Sequence, residues 1–87
     1  MSPELLKDLE NDYTRRAYRV EASNLRKPKP SSWLPVARDA FKNAAAAIAQ
    51  ARNTADPIQA ELIRIAEAYA EVGDAAERIA RAAEGLR

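Results

Sequence analysis

The chain is predicted to be all-α: a compact bundle of four helices, or of three with a long and kinked last helix, and no sheet. Three features carry that expectation. Apolar residues recur at steps of three and four through most of the chain, which is the spacing of one helix face. The apolar share is 47% while aromatics reach only 6%, so alanine and aliphatic residues supply it, a mix that favours helices over strands. The apolar runs open on Ser, Asp and Pro signals of a helix start. With 87 residues and no Cys or His, one domain (1–87) must hold itself together by packing, without disulfides or Cys/His zinc.

The first helix is expected over about 3–24. Ser2 is placed to cap it, and Pro3 takes the first position, where the missing N–H costs nothing. Leu6, Leu9, Tyr13, Ala17 and Val20 form its buried stripe. Pro28 and Pro30 forbid continuation, so residues 25–31 form a stiff, basic connection able to cross the bundle end and deliver Trp33 to the edge of the core.

The second helix is expected over about 32–52, starting at Ser31 or Ser32. Leu34, Ala37, Phe41, Ala44, Ile48 and Ala51 keep the helical spacing, and Trp33, Ala40 and Ala47 widen the stripe to about half the cylinder. So wide an arc predicts a central helix with neighbours on two sides, and its alanines allow interaxial distances of ~8 Å.

Asp56-Pro57-Ile58-Gln59 has the form of a capping box and opens a third helix over about 57–72, with Ile58, Leu62, Ile65, Tyr69 and Val72 as its buried stripe. Gly73-Asp74 is expected to break the chain there, Gly73 closing one helix and Asp74 to Glu77 capping a fourth over about 75–86. The alternative is one helix from 57 to 86, since Ala76, Ile79, Ala83 and Leu86 continue the phase and a single glycine costs ~1 kcal/mol. The predicted core comprises Leu6, Leu9, Tyr13, Val20, Leu34, Phe41, Ile48, Leu62, Ile65, Tyr69 and Ile79.

Residues 65–86, with Ala66, Tyr69, Gly73-Asp74 and small residues beyond, resemble one tetratricopeptide-type helix–turn–helix unit, although Arg78 stands where that pattern has a small residue. More broadly, "SPELLKDLE", "ADPIQAELIRIAEAYAEVGDAAERIARAAEGLR" and the lack of His and Cys resemble computationally designed helical bundles. Local signals that all agree with one fold are what such designs aim for. That resemblance implies a scaffold or a binding module.

Enzymatic chemistry is not expected. Without His or Cys the usual acid–base and nucleophile pairs cannot be assembled, and Lys29 beside Ser31 and Ser32 reads as linker polarity and capping. Glu67 and Glu71 stand one turn apart without the Glu-x-x-His partners of di-iron bundles, so neither a metal nor a cofactor is expected. The opening residues are too acidic for an export signal, and the apolar run at 43–51 is too short to span a bilayer. A soluble cytoplasmic protein, monomer or homodimer, without membrane contact, is the expectation.

The segment 13–29 is richer. It holds Arg15, Arg16, Arg19, Arg26, Lys27 and Lys29 against the single acid Glu21. Opposite the Leu6 stripe, Tyr18, Ala22 and Leu25 form a second apolar strip beside Arg15, Arg19 and Arg26, the residue types that dominate protein-binding faces. The expected contact surface is therefore Arg15, Tyr18, Arg19, Ala22, Leu25 and Arg26 with Lys27, Lys29 and Trp33 beside them. Two alternatives stay open. Trp33 and the connection can fold over Tyr18 and Leu25, or the basic segment can serve nucleic acid through phosphate contacts and stacking.

Overall fold

Ser2 caps the first helix as its position predicts: its hydroxyl accepts the Leu5 N–H at 3.2 Å. The computed structural model describes residues 2–29 and 31–85, folded into α1 (Pro3–Leu25), α2 (Trp33–Ala51) and α3 (Ile58–Gly85). The chain is all-helical, and no strand occurs among the described residues. Pro30 in the connection, and Leu86 in the expected last stripe, lie outside the described residues. The molecule extends 48 × 18 × 14 Å.

The connection after α1 is organised by Asn24. Its side-chain carbonyl accepts the Ser31 N–H at 2.9 Å, and the Ser31 hydroxyl accepts the Trp33 N–H at 3.1 Å, satisfying a donor at the start of α2. Ser31 rather than Ser32 therefore supplies the side-chain cap of α2. Beyond α2, the Gln59 amide donates to the Ala51 carbonyl at 2.9 Å and draws the start of α3 onto the end of α2.

α2 is the central helix. Leu34, Ala37, Ala40, Phe41, Ala44, Ala47, Ile48 and Ala51 are all buried, an arc wide enough for α1 on one flank and α3 on the other. α1 contributes Leu6, Tyr13, Ala17 and Val20, with Leu9 packed at the margin. α1 and α3 join each other chiefly through long side chains. Arg16 reaches Asp74 at 3.7 Å as well as Asp12 at 3.1 Å in its own helix, and Lys27 pairs with Glu84.

The expected fourth helix does not form, because α3 runs unbroken through Gly73-Asp74. Gly73 is a packing glycine, not a helix stop. It is buried, and a Cβ on it would lie 2.8 Å from Cε1 and Cζ of Phe41 and 3.0 Å from Cε2. Phe41 is itself fully buried, so its ring fills the space that a side chain at 73 would need.

The same close approach reverses the expected phase of α3. Its buried residues are Ala66, Ala70, Gly73, Ala76 and Ala80, with Leu62 and Ile63 half-buried. Ile65, Tyr69 and Ile79, predicted for the core, are 46%, 39% and 42% exposed, and Ile58 and Val72 of the predicted stripe are 56% and 51% exposed. Only the small seam of this helix lets its axis come close enough to α2 for Phe41 to nest.

Gly73→Ala should therefore destabilise the protein although alanine is the better helix former. The gain in propensity is at most ~1 kcal/mol, while overpacking an ordered core costs about 1–3 kcal/mol. Chemical denaturation should show a lower midpoint for Gly73→Ala, and Phe41→Leu should lessen the penalty of the added methyl when the two are combined. A midpoint above that of the parent would mean that the ring does not hold α3 at this distance.

Candidate protein-interaction surfaces

α1 places its predicted strip in the open. Tyr18 is 66% exposed and Leu25 78%, because they stand on the side of α1 opposite the Leu6–Val20 stripe. Trp33 at the start of α2 is 42% exposed and leaves both of them uncovered. The folding-back of Trp33 over this strip is thus not how the chain packs. Thr14, Ala17, Tyr18, Lys42 and Ala45 line a shallow, mainly apolar cleft between α1 and α2 beside the strip.

The cations of this region divide into two groups. Arg15, Arg19, Arg26 and Lys29 are exposed, and Ala22 is half-buried among them. Lys27 turns toward α3 and its ion pair with Glu84. Arg16 is held between Asp12 and Asp74, and its guanidinium carbon lies 5.7 Å from the centre of the Phe41 ring and 6.0 Å from that of Tyr13. It closes the rim of the core. Burial, with the Glu67 carboxylate adding to it, raises the Tyr13 phenol above its ordinary value and keeps that group neutral beside Arg16.

A polar cleft between α1 and α3 is lined by Asp12, Arg16, Arg19, Asp74, Glu77, Arg78 and Arg81. Acids and bases alternate around it, and Arg81 already reaches Glu77 at 3.3 Å. Such a mixed rim lacks the uniform positive field that a phosphate backbone selects.

The larger apolar surface lies on α3, where sequence reasoning expected core. Ile58, Ile65, Tyr69, Val72 and Ile79 follow one another at helical spacing along its outer side, and Ile65, Ala68, Tyr69 and Val72 enclose a shallow groove there. A signal for this arrangement was present in the chain. Two seven-residue series run through α3 one residue apart, Ile58-Ile65-Val72-Ile79 and Gln59-Ala66-Gly73-Ala80. The alanine-rich face of α2 accepts the smaller of these two series as the inner one.

Among the described residues, no helix is long and apolar enough to cross a membrane. The chain matches no protein-family model, no curated protein and no solved structure.

Proposed function

We propose that this chain is a non-enzymatic helical scaffold that binds protein through its outer helix faces. The single observation that carries this reading is the apolar stripe on α3. Five large side chains are 39–56% exposed along one helix side, while the adjoining inward side of the same helix is buried mainly through alanine and glycine. A contiguous apolar face of this kind is characteristic of interaction sites, and single scattered residues are not. The α1 strip of Tyr18 and Leu25, with Arg15, Arg19 and Arg26 around it, supplies a second face of typical contact residues. The nucleic-acid alternative is weakened by the engagement of Arg16 and Lys27 in ion pairs with α3. The capped start of α1 and the absence of His and Cys support the reading of the scaffold as a designed one.

The test compares three forms of the chain as affinity bait: the parent, Tyr18→Ala with Leu25→Ala, and Ile65→Lys with Val72→Lys. Circular dichroism first establishes equal helicity. A protein retained by the parent and lost with one altered face assigns binding to that face. Retention unchanged by both alterations contradicts the reading.

A further inference from the structure

We infer that the exposed face of α1 docks an acidic protein segment, which seats one apolar side chain between α1 and α2. The inference rests on the interaction reading above and names the partner chemistry of its second surface. Its first support is the distribution of unpaired charge. Arg15, Arg19, Arg26, Lys29 and Lys42 are exposed, and none of them forms an ion pair among the described residues. The acids in the same stretches of α1 and α2 are already engaged: Asp12 by Arg16 at 3.1 Å, and Glu21 and Asp39 by Arg38 at 3.4 and 3.0 Å. Acids without such a partner stand elsewhere, Glu4 and Asp8 in the first two turns of α1, Asp56 before α3, and Glu67 and Glu71 on α3. The chain's own carboxylates thus leave these cations uncompensated.

The second support is a seat for an apolar anchor. The cleft of Thr14, Ala17, Tyr18, Lys42 and Ala45 has a volume of about 210 Å³. That is smaller than the ~300–1,000 Å³ of a small-molecule pocket and suits a single side chain. Tyr18 forms one wall, and Leu25, two turns on, extends the apolar surface along α1. At about 100° per residue, Arg15, Ala22 and Arg26 stand within about 80° of Tyr18 round the α1 axis. Lys42 lines the cleft from the α2 side. Cations therefore flank the seat on both helices.

A segment that fits carries carboxylates around one aliphatic residue. Exposed ion pairs contribute little each, so the seated side chain supplies most of the affinity and the cations select the partner. The same geometry decides between acidic protein and nucleic acid. A phosphate backbone has no aliphatic side chain to place against Ala17 and Ala45. Asp12 and Glu21 also border the strip, one on each side of it round the α1 axis, where a phosphate backbone would meet like charge. A peptide can set its carboxylates beside the arginines and keep clear of both acids.

Fluorescence anisotropy with the full chain tests this with three labelled probes. They are a short peptide of glutamate and alanine with one central leucine, the same peptide with alanine for that leucine, and single-stranded oligothymidylate. The parent should bind the leucine peptide, the alanine peptide about tenfold more weakly, and the oligonucleotide less tightly than the leucine peptide. That comparison needs no variant of the chain. Arg15→Glu with Lys42→Glu should weaken the leucine peptide about tenfold or more, because attraction on both sides of the seat becomes repulsion. Arg64→Glu with Arg78→Glu changes the net charge equally but on α3, and should weaken it by less than about threefold. Circular dichroism establishes equal helicity of the variants. No binding of the leucine peptide up to millimolar concentration, indifference to its leucine, or tighter binding of the oligonucleotide overturns the inference. So does equal weakening by the two charge variants. These outcomes separate from the interaction reading: a chain that ignores both peptides yet retains a protein lost with Tyr18→Ala, Leu25→Ala keeps that reading and removes only the acidic segment as occupant.

Discussion

Phe41→Ala is expected to remove a large share of the protein's stability, the largest loss of any single substitution in the core. Phe41 is fully buried at the middle of α2, the helix that both others pack against. Replacing a buried phenylalanine by alanine costs about 3–5 kcal/mol through lost transfer energy and the cavity left behind. A domain of this length has about 4–13 kcal/mol in total, at 0.05–0.15 kcal/mol per residue. The loss here belongs at the upper end of its range for two reasons. Gly73 offers no side chain to fill the void, and the Arg16 guanidinium loses the ring it lies against at 5.7 Å while still facing Asp74. Far-ultraviolet circular dichroism with a urea series reads the effect directly. Phe41→Leu is the informative control: it keeps apolar volume and should cost under about half as much. A well-folded Phe41→Ala chain with a midpoint near the parent's would show that the helices do not depend on this ring.

The position of Phe41 also explains which parts of the fold the residues alone disclosed. α1 and α2 are legible because each has one apolar stripe that is larger than anything on its other side, and because proline and serine mark their ends. The bounds 3–24 and 32–52 differ from Pro3–Leu25 and Trp33–Ala51 by one residue at an end. α3 defeats the same method. It carries two candidate faces, and ranking them by residue size favours Ile65, Tyr69 and Ile79 over Ala66, Gly73 and Ala80. Which face turns inward is decided by the shape of α2, a tertiary fact. Gly73 misled for the same cause, since a glycine at a helix stop and a glycine beneath an aromatic ring look alike in one dimension. The residues alone favour Trp33 and the connection folding over Tyr18 and Leu25, and the exposure of all three corrects this, because the outcome depends on where the connection carries Trp33.

Placing lysine at both Ile65 and Val72 should sharply weaken the binding of a protein partner while leaving the chain folded. The two effects differ because these residues contribute unequally to the single chain and to a complex. Ile65 is 46% and Val72 51% exposed, so the isolated chain gains only part of their burial energy. Lysine is a good helix former whose methylene stem can lie along the same surface, which limits the cost to the isolated chain to about 1 kcal/mol. In a complex, completing the burial of a half-exposed large side chain contributes about 1 kcal/mol. Two lysines therefore remove about 2 kcal/mol and leave charges to be desolvated, which corresponds to binding weaker by about thirtyfold or more. Thermal unfolding beside affinity capture makes the distinction visible. The lysine variant should melt slightly below the parent and lose the protein that the parent retains. If the variant instead lost its helices, Ile65 and Val72 would be contributing to the fold of the single chain, and the outer stripe of α3 would belong to the core.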